Sequence, residues 1–184
     1  NGEDMLNYLR GQRAMEITVP PLYRDREHAL GDISNAKPAY VRNPRRAYGD
    51  TGYNAYKSAQ EARQAMVYVA ANDGMLHALN ATTGDEVWAY LPRIILPELY
   101  RLADSNYQNN HRFFVDGTPE SGDVYINSDW RTILVGGFNK GGRGYYALDV
   151  TEPSNPVVLW EICSDASLCQ KSDADIGYTY GNPV

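Results

Sequence analysis

Between Met66 and Ile162 one succession of short strands and turns occurs twice. The first copy reads MVYVAANDGMLHALNATTGDEVWAYLP, and the second reads TILVGGFNKGGRGYYALDVTEPSNPVVLWEI. Val69 aligns with Val135, Ala78 with Ala147 and Trp88 with Trp160. The offset grows from 66 to 69 to 72 residues because the second copy has longer turns at Asn139–Gly142 and Thr151–Pro156. An extended, Pro-bearing stretch precedes each copy: GDISNAKPAYV the first, VDGTPESGDVYI the second. A third such stretch, IGYTYGNPV, occupies residues 176–184. Repetition sets architecture before any single element does. A lone unit of about four short antiparallel strands cannot bury both faces, so such units must stack against one another.

This pattern predicts an all-β fold built as part of one β-propeller domain over residues 1–184, with about two blades, the first strand of a third and short helical insertions. Seven or so short strands also suit a β-sandwich, in which the extended stretch Gly31–Val41 and Met66–Tyr90 would lie in separate sheets. The expected order is a lead-in over 1–30, a first blade over 31–92 and a helical connection over 93–115. A second blade follows over 116–162, then a cysteine loop over 163–175 and the opening strand of another blade over 176–184. In the lead-in, EDMLNYLRG predicts a helix with Asp4 as N-cap and Gly11 as its stop. Pro38 suits an edge strand. Asn54–Ala65, free of Gly and Pro, predicts a helical insertion, and LPELYRLAD a short helix with Pro97 in its first turn. Asn72-Asp73-Gly74 is a turn signal between strands. The expected core sets are Val67, Val69, Leu76, Ala78 and Trp88, and Ile133, Val135, Tyr146, Leu148 and Trp160. Ala70, Ala71, Gly136 and Gly137 leave room where strands crowd, and Trp88 and Trp160 should fill the seams between units.

Composition narrows the function. With 17 Lys+Arg against 23 Asp+Glu the net charge is -6, which disfavours a broad basic surface for nucleic acid or anionic lipid. No apolar run approaches the roughly 20 residues of a membrane span. The chain begins at Asn1 and reads as an excised piece, so a missing signal segment says nothing about export. Cys163 and Cys169 are the only cysteines; they flank one polar loop and lack the spacing of a zinc site. They form either a small disulfide loop in an exported protein or two free thiols in a cytosolic one. His28, His77 and His111 are far apart in sequence, and His77, between Leu76 and Ala78, suits packing better than ligation. No serine has a G-x-S-x-G context. GGFNKGGRG lacks the G-K-[ST] end of a phosphate loop. Asp116, Asp123, Asp129 and Asp149 stand at strand ends or turns, where bonds to backbone explain them. Tyr48, Tyr53 and Tyr56, and Tyr178 and Tyr180, suit core packing or a contact surface. No catalytic, cofactor-binding or metal residue is expected.

VYVAANDGMLHALNATTGDEVWAYLP resembles the quinoprotein-type propeller repeat with its Ala-x-Asp-x-x-x-Gly-x-x-x-Trp tail. The succession LGDISNAKPAYV, NDGMLHALNATTG, HRFFVDGTP, WRTILVGGFNKGGRGYYALDVT and DIGYTYGNPV resembles the C-terminal propeller of the PilY/PilC family, from about Arg26 to Val184. Gly74, Ala78, Trp88, Gly136, Gly137, Ala147, Asp149 and Trp160 are expected at structural blade positions. The PilY/PilC resemblance implies a non-enzymatic type IV pilus biogenesis and adhesion module that opposes pilus retraction. It implies pilins, minor pilins and host or abiotic surfaces as partners. It also implies export to the pilus tip, cell surface, outer membrane or periplasm of a Gram-negative bacterium. The family's calcium loop, of the Asp-x-Asp-x-Asp-Gly kind, has no match here: after Asp173 and Asp175 no third ligand is in register, so calcium would bind beyond Val184. The alternatives are a quinone-dependent dehydrogenase, which resembles its relatives in a vicinal Cys-Cys pair that this chain lacks, and a periplasmic assembly scaffold.

Overall fold

The computed structural model describes residues 2–183, and their strands form two sheets. Strands β1 (Ala39–Val41), β2 (Met66–Ala70), β3 (Leu76–Asn80) and β4 (Glu86–Tyr90) form the first sheet in chain order. Strands β5 (Glu120–Ile126), β6 (Asp129–Gly137), β7 (Gly144–Asp149), β8 (Val157–Cys163) and β9 (Lys171–Ser172) form the second, also in order. All neighbours are antiparallel except β8 and β9. β1 and β2 share the first sheet, so the sandwich arrangement is excluded.

The two sheets repeat each other in strand order and in the pairing of their third and fourth strands, although Val135 is the counterpart of Tyr68 and not of Val69, since Tyr68 pairs with Ala78 and Val135 with Ala147. Ala78 pairs with Trp88 and Ala147 with Trp160, and in each sheet the register slips by a bulge immediately after that alanine. An extra residue at a bulge bends the strand and tightens its twist, so both sheets are shaped at the same repeat position.

Alternation along the strands then decides which face meets which. In the first sheet, Met66, Tyr68, Ala70, Leu76, Ala78, Trp88 and Tyr90 share one face, by pairing and by period two. In the second, Leu134, Gly136, Tyr146 and Leu148 share one face. These two faces, with Phe114, Val115, Phe138 and Val150, build one core between the sheets. The sequence pattern put Val67 and Val69 beside Leu76, and Ile133 and Val135 beside Tyr146. The register puts all four valine and isoleucine residues on the opposite faces, because both faces of β2 and β6 are largely apolar and alternation alone cannot choose the phase. Trp160, the counterpart of Trp88 in the repeat, does not share its seam, because repeated sheets stack front to back and equivalent faces point the same way. It stands across from Ala147, on the face turned away from the first sheet.

Trp88 does fill the seam. Its ring lies 5.6 Å from that of Tyr68, and its Nε1–H donates to the Pro153 carbonyl at 2.7 Å. Beside it, Glu161 is buried, accepts the Arg93 N–H at 3.0 Å and accepts the Tyr90 hydroxyl. Burial and the adjoining Glu161 carboxylate both push the Tyr90 phenol up. Gly136 has a specific reason: a Cβ there would meet the Tyr146 hydroxyl at 2.2 Å, so only glycine lets that ring lie across β6.

The segment between β1 and β2 reaches over the second sheet. Helix α2 covers Tyr53–Ala59, shorter than the expected 54–65, and its Tyr53 is wholly buried against Trp130. Helix α1 covers Gly2–Leu9, so Asp4 lies inside it and is not its cap; Gly11 at φ 95° follows its end. Tyr8 of α1 donates to the Leu102 and Arg24 carbonyls, and the buried pair Arg26–Glu16 ties down the following coil. The short helix expected around Pro97 is a 3-10 helix over Arg93–Ala103, with Pro97 inside it. Residues 176–183 form no strand among the described residues, only an isolated bridge between Asn139 and Thr179; Val184 lies outside them. Bulky Tyr178 and Tyr180 are exposed there and do not pack as core.

Tyr68 and Tyr146 are wholly buried, and their hydroxyls have no hydrogen-bond partner among the described residues; burial pushes the Tyr68 phenol up to about 12. A buried unpaired hydroxyl costs roughly 1–3 kcal/mol. Tyr68→Phe and Tyr146→Phe should therefore keep or raise the melting temperature, whereas Trp88→Ala should lose about 3 kcal/mol in denaturant unfolding. A loss of stability in both Tyr→Phe variants would show that the hydroxyls are bonded.

Candidate functional site

Three buried polar residues, Asn72, Asp73 and His77, lie at one end of the first sheet, around the loop that joins β2 to β3. Gly74 makes that turn at φ 96°, with its α-carbon close under Leu99 of the 3-10 helix: a Cβ would meet Leu99 Cδ2 at 2.5 Å. Such a φ strains any residue with a side chain. With the turn fixed, Asn72 and Asp73 point back at the coil 31–35. The Asn72 N–H donates to the Asp32 carbonyl at 2.9 Å, and its side-chain amide donates to the Asp32 carboxylate at 2.8 Å while accepting from Phe114 N–H at 2.9 Å. Asp73 accepts the Gly31 N–H at 2.8 Å and the Met75 N–H at 3.1 Å.

His77 lies between two carboxylates. Its Nε2 is 3.1 Å from Asp73 and its Nδ1 is 2.6 Å from Glu86. A neutral imidazole has only one N–H, so two carboxylate partners select the imidazolium. Glu86 reaches His77 diagonally, because β4 pairs it with Leu79, two residues along the same face. Burial of His77 opposes the charge. The hydrogen bonds and charges of Asp73 and then Glu86 outweigh it and hold the imidazole above 6.5. Asp32 behaves in the opposite sense. Burial raises its carboxyl, but hydrogen bonds from Ser34, His111 and Asn72 overcome that and leave it below 3.8. A hollow of about 590 Å³ lies over this cluster, lined in part by Arg24, Arg26, Asp32, Asp73 and Tyr107.

Both ring nitrogens of His77 are occupied by carboxylates, and among the described residues neither bonds a serine, threonine or cysteine. The arrangement therefore positions a loop; it does not present an activated nucleophile. Among the described residues no group of three or more His, Cys, Asp or Glu is placed to hold a metal ion. No helix of the described residues is long and apolar enough to cross a membrane.

The positions singled out in the sequence are scattered over the two sheets. Gly74 is in the loop above the cluster, Ala78 and Trp88 face the seam, and Gly136 accommodates Tyr146. Gly137 lies under Thr179, whose hydroxyl accepts the Phe138 N–H at 2.9 Å. Ala147 is wholly buried, and Asp149 bonds the Thr151 N–H at 2.9 Å and pairs with Arg131 at 3.2 Å. Asp116 accepts from the Asn35 backbone and side chain, and Asp123 from Tyr53 and Thr132. Cys163 and Cys169 are joined by a disulfide with a Cα separation of 5.9 Å. Sequence reasoning missed Asp32, Asp73 and Glu86 as partners of the histidines. The Asn-Asp-Gly turn was the available signal, since Asp73 stands four residues before His77 with the turn between them.

Two measurements follow from this chemistry. The raised His77 pKa means its stabilisation is fully present below the unfolded value near 6.5 and is lost as pH rises through the higher folded value. Unfolding free energy should therefore decline from pH 6 toward alkaline pH, and His77→Gln should flatten that decline; an unchanged profile would remove His77 as its source. The closed loop from Cys163 to Cys169 is short, so reduction should cost about 2 kcal/mol on the chain-entropy account, read as a lowered denaturant midpoint without global unfolding.

Comparison with known proteins places this geometry. The family described as PilY1 beta-propeller domain matches residues 30–184. A type IV pilus biogenesis factor PilY1 homolog of Xylella fastidiosa (strain Temecula1) is 43% identical over 94% of this chain. The type IV pilus biogenesis factor PilY1 of Pseudomonas aeruginosa (strain UCBPP-PA14) is 37% identical over all of it. The chain spans 14% and 16% of those two proteins. The crystal structure of the Pseudomonas aeruginosa PilY1 C-terminal domain superposes with a TM-score of 0.62 at 31% identity, over 79% of this chain and 28% of that one. With the family matched over most of its length and the two-sheet repeat in place, the chain belongs to the PilY1 β-propeller domain family.

Proposed function

We propose that this chain is a non-enzymatic part of a type IV pilus biogenesis factor, supporting pilus assembly against retraction and attachment to surfaces. The observation that carries the reading is the match of essentially the whole chain to proteins named as such factors. Its partners on this reading are pilins, minor pilins and the surface contacted. The Cys163–Cys169 disulfide supports an exported location, at the cell surface, pilus tip, outer membrane or periplasm, because such bonds persist in oxidising compartments. Calcium, on this reading, is bound by a loop beyond Val184. The His77 cluster serves the module by holding the β2–β3 loop in one shape, which suits a contact surface more than a reaction centre.

Deleting residues 31–162 from the chromosomal copy should abolish surface pili and adhesion in cells that retract their pili. In cells lacking the retraction motor, pili should return while adhesion stays low. Normal piliation and attachment after the deletion, or alcohol-dependent quinone reduction by the purified protein, would overturn the reading.

A further inference from the structure

The loop after β1 concentrates positive charge in a chain whose net charge is -6. Arg42, Arg45 and Arg46 are exposed on it, and among the described residues none of their guanidinium groups has a carboxylate within salt-bridge distance. The loop that carries them is pinned. Val41 belongs to β1, Pro44 is buried, and Lys57 donates to the Arg46 carbonyl at 3.2 Å. Arg63 secures the other side. It is buried, donates through Nε to the Arg42 carbonyl at 2.6 Å and through Nη1 to the Thr132 hydroxyl at 2.7 Å. Arg63 too has no carboxylate within salt-bridge distance among the described residues. Three outward guanidinium groups on a fixed backbone, above a buried fourth, repel one another unless an anion joins them.

Beneath the loop is a hollow of about 350 Å³, whose one lining carboxylate among the described residues is Asp123. That carboxylate is already committed: its two oxygens accept from Thr132 and Tyr53, each at 2.7 Å. Among the described residues it makes no salt bridge to the arginines, so three of the four cations around the hollow remain in excess over its single charge. Tyr40 stands at the rim, half exposed, with the Arg45 guanidinium 5.9 Å from its ring centroid. Forked guanidinium groups bind phosphate and sulfate through paired hydrogen bonds, and an exposed tyrosine ring offers a flat apolar face beside them.

We propose that Arg42, Arg45 and Arg46, held by Arg63, form a binding site for the sulfate or phosphate esters of an acidic polysaccharide. The positive groups occupy one short loop and one hollow, which fits a few ester groups on a sugar chain; a nucleic acid or a bilayer would need a broad basic face, and the chain's overall acidity opposes that. The site stands on the loop itself and holds whether or not the protein works in a pilus.

Heparin is the probe. The native protein should be retained on immobilised heparin and released at higher salt than the triple variant R42Q/R45Q/R46Q. The variant's affinity for a heparin oligosaccharide should fall about tenfold or more, from lost charge-assisted bonds. All three residues are exposed, so the fold should stay intact, as an unchanged melting temperature will report. A variant that loses three other exposed cations, R10Q/K140Q/K171Q, should elute with the native protein. Failure of the native protein to bind heparin, co-elution of the loop variant with it, or an equal shift in the control variant would overturn the site. Tighter binding to single-stranded DNA or to phosphatidylglycerol vesicles than to heparin would overturn the polysaccharide as its ligand.

Discussion

A small antiparallel sheet that is apolar on both sides is stable only when something covers it, and here the first sheet covers the second. Tyr68, Leu76, Ala78 and Trp88 meet Leu134, Tyr146 and Leu148 across one seam. Burying large apolar side chains contributes roughly 1.5–3 kcal/mol each, so this seam dominates the energetics of the chain. The other features of the fold serve it. Gly136 removes a side chain so that Tyr146 can lie flat, and the paired bulges after Ala78 and Ala147 give both sheets the same bend. The Arg93–Ala103 helix packs Ile95 and Leu99 along one side of the core.

Polar groups at the seam are used where the chain must cross between sheets. Glu161 is buried, yet it gathers Tyr90 and the Arg93 backbone, which are the end of one sheet and the start of the connecting helix. Trp88 donates to Pro153 in the turn before β8, and Arg63 and Tyr56 bond Thr132 on β6. A buried polar group costs free energy unless bonded, so each such bond also specifies which connection may pass there. Both sheets are thus locked in relative position by hydrogen bonds as well as by area.

Much of this was legible in the sequence because a repeat is read by comparison of the chain with itself. Ala78 with Ala147 and Trp88 with Trp160 were aligned by spacing alone, and the structure pairs them strand to strand in the same way. The phase of β2 and β6 was not legible. Met66, Tyr68 and Ala70 are as apolar as Val67 and Val69, and when both faces are buried the period of two carries no direction. Gln60–Ala65 are good helix formers and by propensity continue α2, but Arg63 is drawn out to the Arg42 carbonyl and Thr132, and tertiary bonding overrides local propensity. Pro97 suggested a helix start; the tighter 3-10 geometry begins four residues earlier, after Pro92.

The charged sites were the least legible, and the reason is physical. Net charge averages over the molecule, whereas a site depends on which charges are near each other and which are already paired. Screening confines exposed charges to about 8–10 Å, so -6 spread over the whole surface says little about one loop. Glu16 and Glu98 each lie in ion pairs with arginines, and Asp149 pairs with Arg131. Those carboxylates cancel cations elsewhere and leave Arg42, Arg45 and Arg46 uncancelled. The same logic explains His77. In sequence it is a histidine between two apolar residues, and only the diagonal reach of Glu86 and the return of Asp73 over the Gly74 turn convert it into a buried cation between two anions. Pairing, and not composition, decides where an acidic chain can still bind an anion.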